Sequence, residues 1–203
     1  MGTDPFTKKI FEAFVDAIIP TTPPHFNNLY NVQYFGAFEL LIHEYIIWTL
    51  DHSISLLKNT NYSLSRQTAE LLELGAQQFL LNSGNTQTLT FYKIPNNIFF
   101  SVLTPEDRLR TVTLLEQLTI NPAYLPYPFN LNPRFVLPVM DFINRLAMFG
   151  FYSEWSGYGT TRLNPPNNRR LESFPISWIQ VNYPGPSKGY HALRGYLVDR
   201  FIE

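Results

Sequence analysis

Apolar positions recur along this chain at spacings of three and four, the period of a helix with one buried stripe. Ile10, Phe11, Phe14, Ala17 and Ile18 share such a stripe and Pro20 ends it, which predicts a helix from Lys8 to Ile19. A Pro/Asn/His loop follows over 21–31. Phe38, Leu41, Tyr45 and Trp48 keep a similar spacing inside the longest helical stretch, Gly36 to Leu57. Leu71, Leu72, Leu74, Phe79 and Leu80 give apolar faces to a helix over Ser63 to Leu81, with Ser65 as its expected N-cap. Asn82–Asn85 is a turn, and Leu89 to Leu103 divides into two short pieces at Pro95. Thr104-Pro-Glu-Asp107 is the clearest start signal: a cap, a proline at the first helical position and two acids where the helix dipole favours them. That helix is predicted to reach Leu118. After a Pro-rich loop, Asn132-Pro133 repeats the signal and predicts a helix to Phe149, with Pro138 early enough to be tolerated.

From Gly150 the period is lost. Glycine, proline and aromatic residues alternate irregularly to His191, with a short helix expected over Leu193 to Phe201. No internal repeat and no strand–helix alternation of the kind that builds a parallel sheet is present. The expectation is an all-α bundle of five to six helices forming one domain over 8–203, with 150–203 an irregular tail packed on the helices. Residues 1–7 resemble the remnant of a cloning vector and are set aside in this reading.

Composition sharpens the picture in three ways. Charged residues are only 15% and aromatics 16%, from 17 Phe, 12 Tyr and 3 Trp. So aromatic a chain must either bury a large core or leave apolar surface for a partner. Net charge is −1, which gives no field to hold nucleic acid. Cysteine is absent, which excludes disulfides and thiolate chemistry. The longest apolar runs, such as Ile42 to Leu50, are interrupted by His43, Glu44 and Asp51, so no transmembrane segment is expected.

The search for chemistry finds no catalytic, cofactor or metal constellation. His43 and His52 are nine positions apart and fall on opposite helix faces, so they cannot share a metal. Glu39 and His43, at i and i+4, are two ligands lacking a third. Ser156 lacks the flanking glycines of a nucleophile elbow. Glu70 with Glu73 and Glu106 with Asp107 have ordinary helical readings. Asp16, inside an apolar stretch, either faces solvent or pairs with the following loop at Thr21 and Thr22. An enzyme site assembled from scattered residues such as Asp16, Glu39, His43 and Arg108 stays open. The unusual residues lie in the tail: Phe151–Tyr158 and Asn182–Tyr190 are rigid aromatic loops. Trp155, Tyr158, Tyr183, Pro184, Gly185, Pro186, Gly189 and Tyr190 are the candidate partner interface. The same residues can equally plug the open end of the bundle.

Three stretches carry a family likeness. Ala13-Phe-Val-Asp-Ala-Ile-Ile-Pro20 resembles the opening helix of the gluconate 2-dehydrogenase subunit 3 family. Phe100-Ser-Val-Leu-Thr-Pro-Glu-Asp-Arg108 is similar to that family's lead into its middle helix. Gly150-Phe-Tyr-Ser-Glu154 with Tyr183-Pro-Gly-Pro186 and Gly189-Tyr190 resembles its aromatic, glycine-rich finish. The stretch 155–182 is longer than the family's. The resemblance implies a small, non-catalytic accessory subunit of a flavin-dependent dehydrogenase of the glucose-methanol-choline type, in some cases beside a cytochrome c subunit. FAD and haem would then sit in the partners and not in this chain. It also implies an exported or membrane-associated location through the partner, which a twin-arginine leader would direct; a cytoplasmic location stays open. A stand-alone structural or envelope protein of the same fold is the alternative.

Overall fold

Asp4 opens the first helix. Its carboxylate accepts from the Phe6 and Thr7 amides at 3.0 and 3.1 Å, and Pro5 takes the first helical position, where no amide is needed. The computed structural model describes residues 4–22, 32–52, 63–82 and 98–185. Among them are six α-helices and no strand, an all-α fold: α1 Pro5–Ile18, α2 Ile42–His52, α3 Leu64–Leu81, α4 Pro105–Glu116, α5 Val136–Tyr152 and α6 Ile176–Gln180. Short 3-10 turns join them. α1 thus starts before the expected Lys8, within the residues that resemble a vector remnant. The cause is a cap-and-proline pair of the same kind as Thr104-Pro105.

Three of the six helix starts, those of α1, α3 and α4, follow their local chemistry. Thr104 accepts from the Asp107 amide and α4 begins at Pro105 as expected, ending at Glu116. Ser63, not Ser65, caps α3 by accepting from the Arg66 amide. Ser65 is instead buried, its amide and hydroxyl both donated to Asp51 at the end of α2. α2 begins at Ile42 rather than Gly36, because residues 37–41 form turns and Leu41 takes a left-handed φ of 57°. Asn132 makes no side-chain cap; Pro133–Phe135 is a 3-10 turn that feeds α5. α5 passes Gly150 and reaches Tyr152. Gly150 is needed there because a Cβ would meet Tyr45 of α2 at 2.5 Å. The expected continuation of α2 to Leu57, the piece from Leu89 to Asn97 and the helix over 193–201 lie outside the described residues.

α1 occupies the centre and packs on α2, α3 and α4, while α5 closes the bundle against α2 and α4. The core is aromatic as well as aliphatic: Phe11, Phe14, Phe100, Phe129 and Trp155 are fully buried among Ile10, Ile42, Ile46, Leu71 and Leu115. Each such side chain contributes about 1.5–3 kcal/mol, against about 0–1 kcal/mol for an exposed ion pair such as Arg145–Asp141. Burial therefore dominates. Residues Pro133–Tyr152 form a helical stretch of 20 residues with mean hydropathy 1.2, long and apolar enough to cross a membrane. One side of the stretch is buried in the bundle, with Val136, Met140, Ile143 and Ala147 in the core.

Polar side chains inside the bundle are placed on backbone groups. Arg108 Nη1 donates to Ala13 O at 3.0 Å and Asp16 Oδ2 at 2.8 Å, and Nη2 donates to Ser101 O at 3.0 Å. Asp16 therefore pairs with α4 and not with Thr21 or Thr22. Glu73, buried on α3, accepts the amides of Phe99 and Phe100. His43 is only 1% exposed and neither ring nitrogen makes a hydrogen bond. Its ring stacks on Phe38 at 6.2 Å, and the nearest carboxylate is Glu12 at 3.7 Å. Burial pulls its pKa down to about 4, with Glu44 opposing and Lys8 and Arg162 assisting.

These polar contacts can be tested by unfolding. Arg108→Met removes three charge-assisted bonds that join α1, the 99–102 turn and α4, and should cost about 2–4 kcal/mol in urea unfolding. Asp16→Asn, which keeps the carbonyl contacts, should cost less than half as much. Equal losses would contradict this division. His43 is neutral when folded but has the ordinary value of 6.5 when unfolded, so the unfolded chain binds the extra proton between the two values. Stability should be fully present above pH 6.5 and fall by up to about 3 kcal/mol as pH drops toward 4. His43→Leu should flatten that part of the pH profile, and an unchanged profile would assign the slope to other groups.

Candidate functional site

The end of the bundle where α2 meets α5 is not closed by helix. The chain after α5 is laid across it and leaves an open groove of about 920 Å³. Two indole N–H groups fasten that chain. Trp155 Nε1 donates to Leu41 O at 3.0 Å, and Trp178 Nε1 donates to Tyr152 O at 2.8 Å. Each bond satisfies a polar group that would be costly to bury alone. Tyr45 of α2 packs edge-on against Trp155 at 5.3 Å and forms one wall. Met148, Phe149 and Tyr152 of α5 form the rim, with Phe149 67% exposed.

Arg169 lines the same groove on a cluster of aromatic faces. Its guanidinium lies 4.2 Å from the Trp48 ring centroid, 5.1 Å from Trp155 and 6.0 Å from Tyr158. Nε donates to Asn164 O, Nη2 is buried with no hydrogen-bond partner, and no carboxylate pairs with it among the described residues. Burial lowers its pKa, with Tyr158 and Tyr45 opposing, yet a guanidinium stays charged at any physiological pH. Asn144 Oδ1, also lining the groove, is buried and lacks a partner. The second arginine of the groove, Arg145, is engaged by Asp141 at 2.9 Å. Glu154 is engaged by Tyr158, whose hydroxyl donates to Oε2.

The loop that carries Arg169 is shaped by Gly159 and Glu172. Gly159 has φ +50°, and a Cβ there would collide with the Glu172 carboxylate. Glu172 accepts the amide and hydroxyl of Thr160, and Arg162 reaches back to Glu44 on α2. Thr160 is the first cause of a lowered Glu172 pKa.

Of the residues singled out in the sequence, Trp155 is 1% exposed: its indole is a core group with one face toward the groove. Tyr158 lines the groove. Tyr183 is exposed and packs edge-on against Trp178 at 4.9 Å, Pro184 follows it, and Gly185 is buried at φ +89° beside Phe174 and Trp178. Pro186, Gly189 and Tyr190 lie outside the described residues. Tyr45, Trp178 and Arg169 line the groove, and Trp48 lies against Arg169, without having stood out as candidates in the sequence. Tyr45 and Trp48 share a face of α2 by spacing, but no sequence signal links them to Arg169. The scattered residues weighed as an enzyme site separate into structural pairs. Asp16 holds Arg108, Glu39 accepts from Thr21 Oγ1 and the Gly36 amide, and His43 packs on Phe38. Among the described residues no group of three or more His, Asp or Glu is arranged to hold a metal ion.

Tyr158 offers a direct test of the groove's wiring. Its hydrogen bond to Glu154, then burial, push its pKa up to about 12 from 10.0. Glu154→Gln should bring one tyrosine's titration back toward 10, read as tyrosinate absorbance and assigned by its loss in Tyr158→Phe. An unaltered titration curve would mean that the two groups do not interact in solution. No known family model, no curated protein and no solved structure matches this chain.

Proposed function

We propose that this chain is a non-catalytic accessory subunit that docks a partner protein over the aromatic groove, the partner being a flavin-dependent dehydrogenase of the glucose-methanol-choline type. The observation that supports docking is the apolar surface around the groove. Met148, Phe149 and Tyr152 on α5 are exposed, and so are Phe174, Ile179, Val181 and Tyr183 on and beside α6. Exposed apolar side chains grouped around a concave site are characteristic of protein interfaces. Tyrosine and tryptophan held on a fastened backbone are suited to anchoring, because little side-chain freedom remains to be lost.

The nature of the partner rests on the short likeness of Ala13–Pro20, Phe100–Arg108 and the tail to the gluconate 2-dehydrogenase subunit 3 family. In this fold the first two stretches touch, through Arg108 and Asp16, and Tyr152 and Tyr183 of the third both contact Trp178. On this reading FAD, and haem where a cytochrome c subunit joins the complex, belong to the partners. The chain's contribution is to stabilise the flavoprotein and assist its export.

The test is capture of tagged protein from its native host, with flavin absorbance and mass spectrometry on the bound material. A stoichiometric flavoprotein should be recovered. Phe149→Asp with Tyr152→Asp should abolish its recovery while leaving the melting temperature of the subunit within a few degrees, since both side chains are exposed. A partner-free monomer would overturn the proposal in favour of a stand-alone structural protein.

A further inference from the structure

The charge on Arg169 defines what the groove is missing. A guanidinium has five donors in a planar fork that matches a carboxylate. Here Nε is spent on Asn164 O, and Nη2 is buried with no acceptor. The faces of Trp48, Trp155 and Tyr158 attract the cation but accept no directed hydrogen bond. Most other arginines of the described fold have carboxylate partners: Arg66 with Asp4, Arg108 with Asp16, Arg110 with Glu106, Arg145 with Asp141, Arg162 with Glu44. Arg169 sits instead in an aromatic groove where the one acid among the described lining residues, Glu154, is taken by Tyr158. Arg169 as a whole is half-buried, but its Nη2 donor is buried and costs free energy until an acceptor meets it.

Resting on the docking reading above, we propose that the groove receives an acidic, apolar segment of the partner. A large apolar side chain fills the space between Tyr45, Phe149 and Trp178, and an adjacent Asp or Glu carboxylate pairs with Arg169. The space of about 920 Å³ exceeds what a single side chain needs, which suits a short peptide segment over one anchoring residue. The carboxylate sets specificity: a neutral segment would leave the Arg169 donor unpaired under the bound chain.

All three tryptophans of the chain report on this site, since Trp155 and Trp178 line the groove and Trp48 stacks on Arg169. A phage library of random dodecapeptides selected on the wild-type protein should yield sequences with Asp or Glu beside Leu, Phe or Tyr. Selection on R169Q should lose the acid. A selected tryptophan-free peptide should shift the emission of the wild-type protein. Its affinity should drop about tenfold or more when its acid is changed to the amide, and comparably for R169Q, the scale of one charge-assisted pairing. R169K, which keeps the charge but not the fork, should fall between. Should R169Q lose its helical circular dichroism, the acid-to-amide pair and weakening by salt on wild-type protein decide alone. Absence of any enriched sequence, a wild-type pool without acids, or equal acid dependence in folded R169Q would overturn the inference. Apolar peptides that bind without acids and compete with the captured flavoprotein would overturn the acidic pairing and leave the docking reading standing. Acidic peptides that bind at Arg169 when no flavoprotein is captured would support the acidic pairing and overturn the dehydrogenase as partner.

Discussion

A guanidinium surrounded by three oxygens joins the first helix of this protein to the fourth. Arg108 is 11% exposed, and it stands between Ala13 O and Asp16 on α1 and Ser101 O on the turn leading into α4. A charge so placed has lost most of its water, and only these oxygens offset that loss. The arrangement is therefore one of register: shift α1 along its axis by a residue and both of its acceptors leave the guanidinium. Because α1 also packs on α2 and α3, its register sets theirs. Glu73 adds a second fixed point, holding the Phe99 and Phe100 amides against α3. Apolar burial supplies most of the stability, and these buried polar contacts choose which packing is adopted.

The groove is a consequence of how the bundle ends. α2 and α5 approach closely at Gly150, which lies against Ile42 and Tyr45, and Trp155 of the chain that follows packs on Tyr45. Trp155 and Trp178 bond through their N–H edges to backbone carbonyls, and both buried rings contribute to the floor of the groove. One residue thus both closes the core and lines the groove. The alternatives of plug and interface, open in the sequence, describe two sides of the same indole. Arg169 is stacked on the Trp48 and Trp155 rings, carried there by the loop from Gly159 to Glu172, which doubles back on itself at Thr160.

The candidate chemistry separates along the same line. Polar residues that look available in the sequence, such as Asp16, Glu39 and Glu73, have backbone or cationic partners that explain them. Arg169, which in the sequence is only one of a basic pair in a long loop, has a buried donor with none. Unusual local sequence and unusual tertiary environment do not coincide here.

Sequence alone determined the elements whose causes are local. The stripes at Ile10–Ile18 and Leu71–Leu80, the Thr104-Pro105 start and the stop at Pro20 act within a few residues of chain, so period and capping reveal them. The start at Asp4 is equally legible, although it lies in residues that resemble a vector remnant. Tertiary structure decided the rest. Gly36–Leu41 has a helical pattern yet turns, because its carboxylate at Glu39 is held by Thr21 and its backbone by Ile19. α5 continues through Gly150 despite the weak helical preference of glycine, and the close packing of Tyr45 there leaves no space for a Cβ. The groove joins Tyr45, Phe149 and Arg169 from three separate elements, and nothing in local spacing encodes a contact made only when distant segments pack together.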